Sequence, residues 1–353
     1  MVVECDAQSQ PLGWRKLAKA AARSRRHAFA QGTFANLRTQ WRVYVNFCAE
    51  YGVDILPIRA RVLARYVEYL ALRLKSPASV TSYISGLKTI SILIEAPVAV
   101  FSHVYVKLGL KGVRRRKQHK PRQAQALTPA IMLAMSCHVN KKKPRELAAW
   151  AAICVGFACF MRKSNLTPDS ASSFDHTKQL CRSDIQVARD RSCLTVNIKW
   201  SKTNSFSSRQ VVVPVLAMPQ HPLCPVAAYL AAERAVPNPG GDKLWPAFAI
   251  PSLGRVKRPA ALSYHMLSSY MKQWLSKAGY DASLFSSHSI RRGGASAAFA
   301  AGVPGELIQL VGDWSSPVCQ LYLEISTQRK LTVAARVKRH ILTAVGCSSA
   351  VGR

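Results

Sequence analysis

Apolar residues in the first third of the chain recur every three or four positions, which is the spacing of an amphipathic helix. One such series ends at Gly52 and comprises Phe34, Leu37, Trp41, Val45 and Cys48. A second helix is predicted from Arg61 to Leu74, and Ser76-Pro77 supplies the turn that opens a third helix through Ile94. Together these segments predict a small helical bundle.

Beyond residue 125 the pattern changes to more apolar helices around one small sheet. Alternation from Cys193 to Trp200 and a β-branched run from Gln210 to Val215 predict two strands, with residues 201–209 as their hairpin turn. The predicted helices are one that opens at Thr128-Pro129 and others over 145–161, 263–275, 291–301, 305–311 and 317–322. The chain is long enough for two domains. The predicted fold class is therefore mainly α with a small antiparallel β-sheet, in two domains.

Composition adds a strong positive charge to this picture. Fifty Lys and Arg face 17 Asp and Glu, a net charge of +33, while 49% of the residues are hydrophobic. The hydrophobic content excludes the signature of disorder, and a folded protein of this charge repels itself unless a polyanion neutralises it. Nucleic acid is the favoured polyanion and membrane lipid the competing one. The longest apolar run, Leu147 to Met161, is shorter than the roughly 18 to 20 residues of a membrane span, so it is predicted to be a buried helix.

The cations are concentrated in two blocks that contain no acid, one between Asp6 and Glu50 and one between Glu95 and Glu146. Residues 107–125 are polar and contain proline, which is typical of an interdomain linker, and we place the domain boundary near residue 122. We expect this linker to lie on phosphates through Arg114, Arg115, Arg116, Lys117, Lys120 and Arg122. A merely solvated connector is the alternative. Residues 14–26 form a basic, alanine-rich helix candidate that could hold DNA or act in nuclear import.

Cysteine usage and the N-terminus bear on the cellular compartment. Ten cysteines are scattered singly, and none has the spacing of a zinc site, so reduced structural thiols are favoured. Residues 1–10 lack the basic and apolar segments of a secretory signal. The expected location is the nucleus in a eukaryote and the cytoplasm otherwise. We expect no membrane partner, no metal ion and no cofactor.

The segment from residue 288 to residue 322 collects groups that can act on a phosphodiester. It holds the imidazole of His288, the guanidinium of Arg291, the indole of Trp314 and the phenol of Tyr322. Cleavage without a metal needs a nucleophile, cations for the non-bridging oxygens and an acid for the leaving alkoxide. Arginine suits the second task because its planar fork donates two hydrogen bonds and stays charged.

A motif begins at His288 with His-Ser-Ile-Arg-Arg-Gly-Gly-Ala and continues with Gly-Asp-Trp at 312–314 and with Tyr322. This motif resembles the C-terminal box of tyrosine recombinases. Its Gly-Asp-Trp-Ser-Ser stretch looks closest to the DIRS-like and crypton-like mobile-element branch. Two further positions fit the family: Arg162 follows an apolar helix, and Lys202 lies in the predicted hairpin turn. The resemblance spans roughly residues 30 to 340.

The resemblance implies a reaction and a domain plan. Tyr322 would attack the scissile phosphate to form a 3′-phosphotyrosine, Arg162 and Arg291 would clamp the non-bridging oxygens, and Lys202 would protonate the leaving 5′-oxygen. His288 would assist proton transfer, and Trp314 would donate its indole N–H to the phosphate or pack beneath it. The plan is a basic extension (1–29), a core-binding domain (30–106), a linker (107–125), a catalytic domain (126–345) and a tail (346–353). The partners would be duplex DNA and three further copies in a tetramer.

Several alternatives stay open at this point. Taken singly, Tyr322 and Trp314 could be core residues, Arg162 could complement a helix dipole, His288 could cap a helix and Lys202 could be solvated. Lys199 lies on the same hairpin as Lys202, and an apolar stripe over residues 329–345 could dock on a neighbouring copy or on its own domain. A type IB topoisomerase would use similar chemistry. Asn165 stands where the family often has an acid, which is the sequence feature that suggests a DNA-binding protein without turnover.

Overall fold

The computed structural model describes residues 13–119, 123–200, 211–238, 240–252 and 260–314, together with 335, 337 and 338. The chain divides into two compact units, Met1–Arg122 and Gln123–Arg353. Four residues singled out from the sequence lie outside the described part, namely Lys120, Arg122, Lys202 and Tyr322. The predicted hairpin turn, the predicted helix over 317–322 and most of the stripe over 329–345 lie outside it as well.

The described part of the first unit is helical. Its helices are α1 (Trp14–His27), α2 (Gln31–Glu50), α3 (Ala60–Arg73), α4 (Pro77–Leu93) and α5 (Val104–Arg116). The three predicted helices are confirmed to within a few residues as α2, α3 and α4. Gly52 follows the end of α2 with φ +59°, a conformation that favours glycine, and Ser76 caps α4 by accepting from the Ala78 amide at 3.2 Å. Aromatic and aliphatic side chains, among them Tyr44, Phe47 and Tyr66, form the core between these helices.

The first part of the predicted linker, residues 107–116, belongs to the helix α5 and is not an extended connector. Val106 and Val113 lie two turns apart on α5 and are buried in the core of the first unit. The clustered cations dominated the pattern of this stretch and concealed its apolar spacing. Arg114, Arg115 and Arg116 occupy the last turn of α5, where positive charge complements the helix dipole.

The second unit surrounds one long buried helix. Its helices are α6 (Pro129–Ser136), α7 (Pro144–Ala158), α8 (Lys163–Leu166), α9 (Pro225–Ala235), α10 (Tyr264–Lys277), α11 (Ser287–Ala300) and α12 (Gly305–Val311). Every residue of α7 from Ala148 to Gly156 is buried, and α9, α10 and α11 pack around it. This burial on all sides explains the apolar run at 147–161. Among the described residues no helix is long and apolar enough to cross a membrane.

A three-stranded antiparallel sheet in the order β1-β2-β3 completes the unit, built from β1 (Ile185–Val187), β2 (Cys193–Ile198) and β3 (Val211–Leu216). The two predicted strands are β2 and β3, and their register pairs Val196 with Val213. A short pair, β4 (Ala249–Ile250) and β5 (Ala260–Ala261), is separate. The sequence pattern did not predict β1, β4, β5, α8 or α9, and the three strands and α8 are too short to show a periodicity.

Candidate active site

Arg162 is positioned by a sharp turn at the end of α7. The helix ends at Ala158, and Phe160 then takes φ +50°, which lets the chain reverse direction into α8. Arg162 immediately precedes α8 with an extended backbone. A Cβ on Gly156 would come within 2.6 Å of the Leu166 side chain, so this glycine allows α8 to lie close against α7. The apolar helix therefore delivers Arg162 to a fixed place at its end.

His288 and Arg291 are both carried by α11. The sequence analysis predicted a helix start at residue 291, but α11 begins at Ser287. Ser286 is its cap, with its hydroxyl accepting from the His288 amide at 3.3 Å, and Ser289 accepts in return from the Ser286 amide at 2.9 Å. His288 therefore lies within the first turn, which rules out its predicted alternative role as the cap. Arg291 lies one turn further and is only 4% exposed.

The two glycines that follow Arg292 let α11 approach other backbone segments. A Cβ on Gly293 would lie 2.1 Å from the carbonyl oxygen of Leu127, and one on Gly294 would lie 2.0 Å from that of Phe157. Both distances are far inside van der Waals contact. The Gly-Gly pair thus brings Arg291 close to the end of α7, where Arg162 lies.

The turn after α12 contributes the third part of the site. Asp313 has φ +52° and is 4% exposed, while the Trp314 indole folds back over Gly312. A Cβ on Gly312 would lie 1.6 Å from the Trp314 ring, so glycine is required there. Gln309 fixes the turn, because it accepts from the Trp314 amide at 3.0 Å through its own carbonyl and donates its side-chain amide to the Trp314 carbonyl at 3.1 Å.

Both arginines contact this turn. Arg291 donates from Nη1 to the Phe160 carbonyl at 2.5 Å and from Nη2 to the Gly312 carbonyl at 2.6 Å, and its guanidinium carbon lies 3.7 Å from the centroid of the Trp314 ring. Arg162 donates from Nη2 to the Asp313 carbonyl at 3.2 Å, and its Nη1 is 3.7 Å from the Asp313 carboxylate. Three segments distant in sequence thus bring two guanidinium groups to one turn.

His288 has an exposed side chain beside this pair of arginines. Its pKa is lowered from the ordinary histidine value by partial desolvation and then by the positive charges of Arg291, Arg162 and Lys163. The imidazole is therefore neutral at neutral pH and able to accept a proton.

Lys199, the predicted competitor of Lys202, is engaged elsewhere. Its ammonium lies 2.6 Å from the Asp184 carboxylate, donates to the His176 carbonyl at 2.6 Å and lies 3.6 Å from the Cys181 sulfur. Asp184 is buried, so this ion pair holds the lysine within its own domain. The pairing counts against Lys199 as an acid for a DNA leaving group. Lys202 lies outside the described residues and stays a prediction.

Asn165 and Asp313 each make a long-range contact that was not predicted from the sequence. Asn165 is 3% exposed and donates its side-chain amide to the carbonyl of Trp200, two residues beyond the end of β2. Asp313 was noted only as the middle residue of Gly-Asp-Trp, yet both its carbonyl and its carboxylate face Arg162. The partners in these contacts are separated by 35 and 151 residues, so no local pattern could have shown them.

The predicted DNA-contacting cations of α5 differ from one another. Arg114 and Arg115 are exposed and form no ion pair with a described acid, whereas Arg116 lies 2.5 Å from the Glu68 carboxylate. Lys117 follows the helix and is partly buried. The structure thus separates two available arginines from one that is already paired.

The described part of the chain contains no group of three His, Cys, Asp or Glu side chains that could hold a metal ion. The cysteines described are free thiols. Burial raises the pKa of Cys154, and it raises that of Cys159 to about 12, which makes both thiols unreactive at neutral pH.

No protein-family model and no curated protein matches the sequence. Solved structures do match, at 13–15% identity. The XerH site-specific recombinase bound to its difH substrate aligns with a TM-score of 0.52 over 86% of this chain and 78% of that one. A lambda integrase dimer bound to a COC′ core site gives 0.51 over 88% and 94%, and the Tn1549 transposon integrase in complex with circular intermediate DNA gives 0.55 over 89% and 97%. The chain therefore has the fold of the tyrosine recombinases and integrases, and the predicted fold class is confirmed.

Proposed function

We propose that this chain is a site-specific DNA recombinase or integrase, which cuts and rejoins DNA through a 3′-phosphotyrosine. The observation that carries the proposal is the convergence of Arg162 and Arg291 on the turn at Gly312–Trp314, with the neutral imidazole of His288 beside them. Two adjacent guanidinium groups suit the two non-bridging oxygens of one phosphodiester. The fold, shared with DNA-bound recombinases and integrases, supports the same conclusion.

In the proposed reaction the phenol oxygen of Tyr322 attacks the scissile phosphorus. A tyrosine–phosphorus bond forms and the bond to the 5′-oxygen breaks, while His288 accepts the phenol proton and Lys202 protonates the leaving 5′-oxygen. Attack of a 5′-hydroxyl from a second strand reverses these steps and releases Tyr322. Because the phosphotyrosine retains the energy of the original bond, rejoining needs neither ATP nor a metal.

The arginines act by electrostatic preorganisation. Arg291 is held by two carbonyls and an indole face, so its guanidinium does not have to reorganise when the phosphate gains charge in the transition state. Trp314 contributes by packing against Arg291. This contact with Arg291 is a role that the sequence did not predict for the indole, for which donation to the phosphate or packing beneath it was expected.

Duplex DNA and further copies of the chain are the proposed partners, with a tetramer holding two synapsed sites. The net charge of +33 and the exposed Arg114 and Arg115 on α5 support the DNA partner. Integration or excision of a mobile element is the proposed biological role, in the nucleus of a eukaryote or in the cytoplasm of a prokaryote.

Covalent capture of DNA tests the proposal. A binding site is first selected from random-sequence duplexes with the Tyr322→Phe variant. The selected site is then used as a nicked duplex, in which the short fragment that carries the new 5′-hydroxyl diffuses away after cleavage and cannot be rejoined. The wild type should become attached to the DNA, while Tyr322→Phe should bind equally well and form no adduct. An adduct that still forms with Tyr322→Phe would refute the assignment of Tyr322 as the nucleophile.

A protein that binds DNA without strand transfer is the alternative that the departure at Asn165 suggests. It predicts tight binding to the selected site and no adduct from the wild type. Relaxation of supercoiled plasmid without any requirement for the selected site would instead indicate a topoisomerase.

A further inference from the structure

We propose that Lys163 is a further DNA-binding residue of this site, which holds the phosphate next to the scissile one and gives up its ion pair with Asp169 to do so. The inference rests on the proposed function, because it adds a DNA contact to the same site. The family resemblance assigned no role to this lysine, which directly follows Arg162.

Lys163 faces the space that the two arginines define. It is the first residue of α8, and Arg162 immediately precedes it. The Cα atoms of neighbouring residues are about 3.8 Å apart, so both side chains leave the same turn at the end of α7. The pKa of His288 is lowered by desolvation and then by three cations, of which Lys163 is one. The lysine charge therefore acts on the same site as the charges of Arg162 and Arg291.

An exposed ion pair and an aromatic ring hold the lysine in place. Its ammonium lies 3.1 Å from the Asp169 carboxylate and 4.0 Å from the centroid of the Tyr264 ring. The Tyr264 amide donates to the Pro168 carbonyl at 2.7 Å, which brings the start of α10 beside Asp169. The side chain of Asp169 is 87% exposed. An ion pair so open to water contributes little stability, so a phosphate can replace this carboxylate at small cost.

Two other paired cations are held more firmly. Arg116 lies 2.5 Å from the Glu68 carboxylate, and the side chain of Glu68 is about half exposed. Lys199 lies 2.6 Å from Asp184, which is buried. Among these three pairs, the one of Lys163 has the longest distance and the most exposed acid. Its cation is therefore the most readily transferred to DNA.

The chemistry of the three cations divides them between two phosphates. Arg162 and Arg291 donate from planar groups that suit the two non-bridging oxygens of one phosphodiester. Lys163 carries a compact charge with three donors, which suits a phosphate that has to be held but does not react. Phosphates follow one another about every 3.4 Å along the axis of each strand. The next phosphate is therefore within reach of a lysine that starts one residue from Arg162.

Uncharged phosphates locate the contact. In the selected duplex, each phosphate around the cleavage site is replaced in turn by a methylphosphonate, and binding is measured in the Tyr322→Phe background with and without Lys163→Gln. On unmodified DNA, Lys163→Gln should bind about 3- to 10-fold more weakly and reduce the slope of log K against log salt concentration by about 0.9. At one phosphate adjacent to the scissile one, the methylphosphonate should weaken binding similarly when Lys163 is present and have no further effect in Lys163→Gln.

Asp169→Asn separates this role from a structural one. If the ion pair only stabilised the fold, removal of either partner would weaken DNA binding. The exchange predicts instead that Asp169→Asn binds about 2- to 5-fold more tightly, because the lysine no longer has to leave a carboxylate. This gain should disappear when Lys163→Gln is added. The comparison of Asp169→Asn with the methylphosphonate series also remains usable if Lys163→Gln fails to fold.

Two lysine variants serve as controls. Lys163→Arg keeps the charge and should keep the salt dependence of the unsubstituted protein. Lys143 is also paired with an acid, Glu146, but it precedes the first residue of α7, a helix of 15 residues that spans roughly 22 Å. Lys143→Gln should therefore leave the effect of the methylphosphonate next to the scissile phosphate unchanged.

Unchanged binding by Lys163→Gln would overturn the inference, and so would a loss that no single methylphosphonate reproduces. A gain from Asp169→Asn that persists without Lys163 would show that the lysine does not exchange partners. Absence of any adduct from the wild type would refute the proposed function whatever Lys163 binds, whereas adduct formation without the predicted phosphate effect would refute the inference alone.

Discussion

Burying the charge of Arg291 would be costly without compensation, and the site supplies it from main-chain and aromatic groups. Two carbonyl oxygens, of Phe160 and Gly312, accept from its guanidinium, and the Trp314 ring faces its π-surface. These partners are neutral, so they orient the cation without cancelling its charge. An incoming phosphate therefore meets a cation that these contacts have already oriented.

The lowered pKa of His288 predicts the pH dependence of cleavage. A proton acceptor works in its neutral form, so activity should rise with pH through the pKa of His288 in the free protein, with its half-maximal point below the usual histidine value near 6.5. The measurement is the pH profile of adduct formation at subsaturating protein. His288→Gln should lose this acid-side inflection, and an inflection above pH 7 in the wild type would contradict the role of the arginine charges.

The same shift also makes stability depend on pH, in the same direction as for a carboxylate whose pKa is lowered in the folded state. The folded state disfavours protonated His288, so the unfolded chain binds more protons just below pH 6.5. This residue therefore makes the protein less stable as the pH falls from about 6.5 through its folded-state pKa.

The backbone conformation and the side chain of Asp313 contribute separately to the free energy of unfolding. Its φ of +52° costs most residues about 1 kcal/mol, whereas asparagine tolerates this conformation well. We expect Asp313→Ala to be about 1 kcal/mol less stable than Asp313→Asn by urea denaturation. Equal stabilities would show that the turn relaxes when the side chain is removed.

Individual residues of the candidate site could be identified from the sequence only where they belong to a local motif. Arg291 and Trp314 belong to such motifs, and the structure brings both together with Arg162. The contact of Arg162 with Asp313 spans 151 residues and depends on how α7 and α12 end. Local patterns contain no information on such a contact, so it required the structure.

Among the elements, α11 is the one whose packing decides the site. A methyl group on Gly294 would collide with the Phe157 carbonyl at 2.0 Å and with the Phe160 ring at 2.6 Å, and a carbonyl within the chain cannot move aside cheaply. Gly294→Ala should therefore cost roughly 1 to 3 kcal/mol of the free energy of unfolding. It should also slow adduct formation, because Arg291 moves with the helix.

Gly305 is the matched control for that substitution. It lies at the start of α12, and a Cβ added there would have no described atom within 4 Å, so Gly305→Ala should change the free energy of unfolding by less than about 0.5 kcal/mol. Urea denaturation of both variants checks the pair. Similar losses in the two would mean that the close approach of α11 to the Phe157 carbonyl does not govern the effect.

Elements were predictable where their hydrophobic period was long and unbroken, as in α2, α3 and α7. The error at α5 had a physical cause, since Val106 and Val113 are only two buried positions among many cations. Burial of a few apolar side chains on the core decided that this segment is helical, and composition could not show it. The short strand β1 exists only through its pairing with β2, for example Ile185 with Val196.

For the whole molecule, the net charge of +33 predicts DNA binding that weakens steeply with salt, because each cation that neutralises a phosphate releases a counterion. The structure divides this charge into available and paired cations. Arg114 and Arg115 are exposed on α5, whereas the cation of Arg116 is already shared with Glu68. Removing available cations should therefore cost more binding than removing a paired one.

The dependence of affinity on salt measures this difference. Replacing Arg114 and Arg115 together by Gln should reduce the slope of log K against log salt concentration by roughly 1 to 2, given about 0.9 for each phosphate that is no longer neutralised. Arg116→Gln should leave the slope nearly unchanged, because this cation is shared with Glu68 and neutralises little phosphate charge. The affinity for the selected duplex is measured at several salt concentrations, from low to moderate. All variants also carry Tyr322→Phe, so that cleavage does not interfere with the measurement. If the double variant keeps the wild-type slope, α5 does not lie on DNA, and the phosphate contacts have to be sought on other cations such as those of α1.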